Sequence, residues 1–133
     1  MLKKLLLLAA AALGVTSALL AADVPKLAPA EAAKLIAAGS AVLIDVREVG
    51  EWKDTGVAAP AALLAKSDFD GAKKEWTPFL EKTGKDKTLI LYCRSGKRAG
   101  VIGEALLAQG YKVVNAGGMK DWADAGLPVR KVE

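Results

Sequence analysis

The chain has 133 residues, 53% of them apolar, with 19 Lys and Arg against 15 Asp and Glu, one Cys and no His. The lack of His excludes Cys–His and Ser–His catalytic pairs and imidazole metal ligation; a single Cys excludes an intramolecular disulfide, a thiolate zinc cluster and a two-cysteine redox motif. Chemistry must rest on one thiol, carboxylates, hydroxyls and cations, in a length suited to one domain.

At the start, Lys3 and Lys4 precede an apolar stretch from Leu5 to Val15, and small residues run from Thr16 through Ala22 to the first acid, Asp23. This pattern predicts a secretory signal peptide over residues 1–22, cut near Ala21 or Ala22, and hence an exported protein, periplasmic or secreted. The alternative is a retained anchor, because Leu5 to Ala22 is just long enough to span a bilayer. Membrane association is expected only through such an uncleaved signal. No Cys follows the cleavage region, which argues against a lipid anchor. Residues 23–133 then form one domain with 17 basic and 15 acidic residues, a net +2. That charge is too weak, and too evenly spread, for a nucleic-acid partner.

Ala30 to Ala38 is a strong helix former, with Pro29 before it and Gly39 as its stop. Ala41-Val42-Leu43-Ile44 is an apolar run without alternation, the signature of a strand buried on both faces. Thr88 to Tyr92 is a second such run, and Lys112 to Asn115 a third. Asp68 to Thr83 is read as a helix with Phe69, Trp76, Phe79 and Leu80 toward the core, and Pro78 as a complication. Ala99 to Gln109 carries Val101, Ile102, Ala105 and Leu106 on one helical face and stops at Gly110. Strand, helix and strand at this spacing make a parallel crossover unit, so the class is α/β.

Ligands in open parallel sheets bind at the carboxyl ends of the strands, and the only Cys lies at one. Cys93 follows the strand ending at Tyr92, then Arg94-Ser95-Gly96-Lys97-Arg98 leads into the next helix. A loop bending from a strand end to a helix N-terminus turns successive backbone amides inward, and these stabilise an anion together with the helix dipole. Three cations in the same loop add to the effect, so Cys93 is expected as a thiolate at neutral pH without help from His.

Cys93-Arg94-Ser95-Gly96-Lys97-Arg98 resembles the active-site loop of the rhodanese, or thiosulfate sulfurtransferase, family. Leu43 to Glu48 with Glu51-Trp52 resembles that family's first motif, and Gly117-Gly118-Met119 with Trp122 and Ala125 to Val129 resembles its C-terminal one. The resemblance covers essentially all of residues 23–133. It implies a single-domain rhodanese-like fold, a five-stranded parallel sheet flanked by helices on both faces, with a short first strand around Val24 to Leu27. It also implies transfer of sulfane sulfur through a Cys93 persulfide, with the loop amides from Arg94 through Arg98 holding it and the cations steering an anionic donor. The partners implied are a small sulfur donor and a thiol or cyanide acceptor; no cofactor or metal is expected, and the protein is read as a monomer. Asp45 and Arg47 are read as a supporting structural pair, Trp52 and Trp122 as core, and Gly117 and Gly118 as a turn with unusual dihedrals. The chain departs from the family at Gly56 to Ala62, where the family's Gly-His-Ile-Pro-Gly-Ala lacks its His here and has its Pro displaced by one place.

Two rival readings share the loop. Cysteine-dependent phosphatases and arsenate reductases need Arg six positions after Cys, and that position is Ala99, with Arg98 one residue early. A non-turnover rhodanese module, carrying sulfur or binding a partner, would also keep Cys93.

Overall fold

The computed structural model describes residues 23–133; the signal peptide expected over residues 1–22 lies outside them. In chain order the elements are α1 (Pro29–Ala37), β1 (Ala41–Asp45), α2 (Val49–Thr55), β2 (Val57–Ala58), β3 (Ala62–Leu63), α3 (Lys66–Asp70), α4 (Trp76–Thr83), β4 (Thr88–Cys93), α5 (Lys97–Ala108), β5 (Lys112–Gly118), α6 (Met119–Asp124) and β6 (Val129–Arg130).

The main sheet is parallel with strand order β3-β1-β4-β5. Its central strands read as unbroken apolar runs because both faces are covered. Along β4, Leu89, Leu91 and Cys93 join the core cluster that includes Ile102 and Leu106 of α5, whereas Ile90 and Tyr92 join the cluster that includes Ala32 of α1 and Trp122 of α6. This period of two sends alternate side chains to opposite faces. Parallel registry also brings the ends of β1 and β4 side by side, with Asp45 opposite Tyr92.

Three expectations need correction. The fifth strand is reduced to a single parallel bridge between Lys26 and Asn115, with Asn115 N–H donating to Pro25 at 2.8 Å and Leu27 N–H donating to Asn115 at 3.0 Å. The ladder cannot lengthen, because Pro25 has no N–H to give and Pro29 opens α1. The helix expected from Asp68 to Thr83 is two helices. Asp68 breaks it: its carboxylate accepts the N–H groups of Lys74, Glu75 and Trp76 at 2.8, 2.9 and 3.1 Å, drawing the chain into a turn in which Lys73 has φ +56°. Pro78 does no harm as the third residue of α4, where its missing N–H has no intrahelical partner. Phe69 and Trp76 do reach the core, edge to face at 5.0 Å between ring centres. The third correction concerns Gly118, taken up with the site.

The divergent segment from Gly56 to Ala62 is held by the C-terminal strand. β2 pairs antiparallel with β6, and Tyr92 Oη accepts the Ala58 N–H at 2.9 Å. Val57 and Ala58 are fully buried, so apolar packing occupies the place where the family's polar side chain would stand.

Candidate active site

β4 ends on Cys93, and the chain turns through Arg94 and Ser95 to Gly96, which caps the start of α5. Gly96 adopts φ +95° and ψ −11°, a left-handed conformation that side-chain-bearing residues avoid. In this pose its N–H points back at Cys93 Sγ, 3.0 Å away. The thiol is only 1% exposed, so the sulfur lies under the loop rather than on a surface. A thiolate there meets an aligned amide at the N-terminus of a twelve-residue helix.

The loop's three cations do not behave alike. Arg98 forms a two-pronged ion pair with Glu51 of α2, both N···O distances being 2.8 Å. The Arg98 guanidinium holds the Glu51 carboxyl down at about 2, reinforced by the Glu48 N–H that Glu51 also accepts. Arg98 is in turn raised, first by Glu51 and to a lesser degree by the charge of Cys93. Arg94 and Lys97 are exposed and hold no ion pair among the described residues. Two cavities abut the loop and share no lining residue. One, of about 790 Å³, takes Ser95, Gly96 and Lys97 in its wall with Lys26 and Asn115. The other, of about 570 Å³, takes Arg94 with Glu51, Met119 and Lys120.

A glycine pair at the end of β5 closes the loop from behind. Gly117 has φ +83°, as its expected turn requires, but Gly118 has φ −115° and ψ 160°, ordinary extended backbone. The need for glycine at 118 is one of space: a Cβ there would lie 2.2 Å from the Arg94 carbonyl oxygen. Backbone meets backbone at this point, where the register between β4 and β5 slips by one residue after Leu91.

Asp45 and Arg47 stand at the end of the neighbouring strand and are buried. Arg47 grips the Asp45 carboxylate through Nε at 3.0 Å and Nη2 at 2.8 Å, and also donates to Thr55 Oγ1 and the Gly56 carbonyl, each at 2.9 Å. Trp52 Nε1 donates to the same carboxylate at 3.0 Å. Burial is the largest single influence on Arg47 and opposes its charge, but the bond to Asp45 and the nearby charges of Asp45, Tyr92 and Glu51 together outweigh it, and its pKa is raised. Burial and the nearby Asp45 charge likewise push Tyr92 far up.

The structure therefore brings together Cys93, Gly96 and Arg98, leaves Arg94, Ser95 and Lys97 at the rim, and buries Asp45 against Arg47 at the neighbouring strand end, where Arg47 also reaches the wall of the smaller cavity. Sequence reasoning quoted Glu51 within a motif without giving it a task, and it passed over Asn115, whose side chain bonds to the loop. The signals were present: an acid in the first turn of α2 able to answer a loop Arg, and an amide interrupting an apolar strand just before Gly-Gly.

Comparison with known proteins agrees with this geometry. Residues 28–125 match the rhodanese-like domain family. Over 92 residues the chain is 32% identical to the thiosulfate:glutathione sulfurtransferase of Saccharomyces cerevisiae, a match covering 64% of this chain and 66%, just under two thirds, of that enzyme. The fold is similar to that of the polysulfide-sulfur transferase homodimer of Wolinella succinogenes, with a TM-score of 0.65 at 29% identity over 84% of this chain and 81% of that one. It is also similar to a human single-domain sulfurtransferase, with a TM-score of 0.61 at 27% identity over 75% of this chain and 96% of that one.

Proposed function

This chain belongs to the rhodanese-like domain family, and from that premise we propose that it transfers sulfane sulfur from an anionic donor such as thiosulfate to a thiol or cyanide through a persulfide on Cys93. The observation that carries the reading is the sole thiol at the end of β4, with a loop amide 3.0 Å from its sulfur at the start of α5. In the first step the Cys93 thiolate attacks the outer sulfur of thiosulfate. The bond between the two donor sulfurs breaks, and sulfite leaves with the electron pair. In the second, cyanide or a thiolate attacks the terminal sulfur of the persulfide, and Cys93 is released as thiolate. No proton transfer by a side chain is needed, which suits a chain without His. Arg94 and Lys97, exposed and without ion-pair partners among the described residues, draw the anionic donor toward the loop. Arg98, bound to Glu51, fixes the loop against α2. The yeast relative's name supplies the donor and acceptor to try first, thiosulfate and glutathione.

The test gives residues 23–133 thiosulfate with cyanide, thiosulfate with glutathione, and an aryl phosphate. Multiple-turnover formation of thiocyanate or glutathione persulfide is expected. Aryl phosphate hydrolysis without either product would overturn the reading, and a Cys93 persulfide that forms but never turns over would reassign the protein as a sulfur carrier. Export belongs to the same proposal. Mass spectrometry of protein from the exported fraction should find an N-terminus between Leu19 and Asp23; an intact Met1 in membranes would establish the anchor instead.

A further inference from the structure

We propose that Asn115 is a positioning residue for the Cys93 nucleophile, bracing Gly96 so that its N–H is aimed at Sγ. The inference rests on the reading of Cys93 as nucleophile and deepens it. Asn115 sits in β5 between Val114 and Ala116, and its main chain is already occupied by Pro25 and Leu27. Its side chain is therefore free to span two other segments. Nδ2 donates to the Gly96 carbonyl at 2.8 Å, and Oδ1 accepts the Gly117 N–H at 2.9 Å. Only one orientation of the amide satisfies both partners, since a carbonyl only accepts and an N–H only donates.

Gly96 needs such a brace. A glycine moves freely through conformations that other residues cannot reach, so nothing within Gly96 holds it at φ +95°. One lone pair of its carbonyl is taken by the Gly100 N–H at 2.9 Å, the first bond of α5, and Asn115 takes the second from the side of the sheet. With the carbonyl held from two directions the residue cannot swing, and its N–H stays 3.0 Å from the sulfur. The same amide ties the loop to the turn at Gly117, next to the point where Gly118 meets the Arg94 carbonyl. Asn115 also lines the larger cavity beside Ser95 and Gly96, so the brace faces the space a substrate would enter.

Asn115→Asp and Asn115→Leu test this in the described domain. Aspartate keeps an acceptor for Gly117 but sets an oxygen against the Gly96 carbonyl; leucine removes both bonds without adding charge. Because Cys93 is the only thiol, alkylation by iodoacetamide reports on it alone. Both variants should be alkylated about tenfold more slowly, the rough worth of one aligned hydrogen bond to a charged atom. Persulfide formation from thiosulfate should slow by the same factor, with KM for the acceptor unchanged. A folded variant that is alkylated at the wild-type rate would overturn the proposal. Failure of both variants to fold would overturn it as well, by assigning Asn115 to the fold. A wild type that alkylates as expected yet transfers no sulfur would sink the proposed function and leave the bracing role standing.

Discussion

Two neighbouring strand ends in one parallel sheet carry polar residues to opposite purposes. At the end of β1, the Asp45 carboxylate and Arg47 guanidinium are buried, and every strong partner they need is supplied by Trp52, Thr55 and Gly56. At the end of β4, the thiol of Cys93 has one amide aimed at it, while Arg94, Ser95 and Lys97 face solvent. A network whose donors are nearly all engaged has little left to offer a substrate and serves to hold β1 to α2. A loop with one amide on its thiol and unpaired cations beside it, among the described residues, is where an anion gains most. The contrast teaches that strand-end position marks candidates in such a sheet, and that unspent hydrogen-bonding capacity separates the end proposed as reactive from the end whose partners are internal.

The sharpest way to break this contrast is to alter each end at its centre. Cys93→Ser should keep the fold, because the hydroxyl accepts the same Gly96 N–H, and should take sulfur transfer to the detection limit, because a hydroxyl is a far weaker nucleophile than a thiolate and the chain has no His to activate it. Thermal melting and thiocyanate formation check the two halves; transfer near the wild-type rate would remove Cys93 from the mechanism. Asp45→Ala should do the reverse. It leaves Arg47 buried without its partner and should cost about 3 to 5 kcal/mol in urea unfolding. An Asp45→Ala protein of wild-type stability would show that the pair is not structural.

The contact behind the loop should respond less. Gly118→Ala puts a methyl 2.2 Å from the Arg94 carbonyl oxygen, so the loop or β5 must shift, at a cost of roughly 1 to 3 kcal/mol. Because the shift falls on the loop, turnover should drop further than stability alone explains, which comparison of melting with kcat will show. The smallest effect concerns Glu51. Its carboxyl is held at about 2, below its ordinary 4.5, so its bond to Arg98 contributes stability above pH 4.5 that is lost as pH falls toward 2. Wild type minus Glu51→Gln, followed as unfolding free energy against pH, should therefore be flat above that window and shrink within it. A difference that does not change across the window would disconnect the ion pair from the loop's anchorage.

Much of the molecule was legible beforehand. Unbroken apolar runs identified β1 and β4 because strands covered on both faces must be apolar throughout, and the only Cys, at a strand end before a cationic loop, marked the candidate loop that the structure places at the start of α5. Local chemistry also determined α1, bounded by Pro29 and Gly39. What the chain alone could not reveal depends on partners distant in sequence. Asp68 splits a helix by capturing amides six to eight residues ahead, β2 exists because β6 returns to pair with it, and Gly118 must be glycine because the Arg94 carbonyl lies against it. Arg98 looked like its two cationic neighbours until α2 brought Glu51 to it across 47 positions. Composition and periodicity report on a residue's own neighbourhood; which of several like charges is paired, and which amide braces a loop, is decided only when the sheet sets distant segments within hydrogen-bond reach.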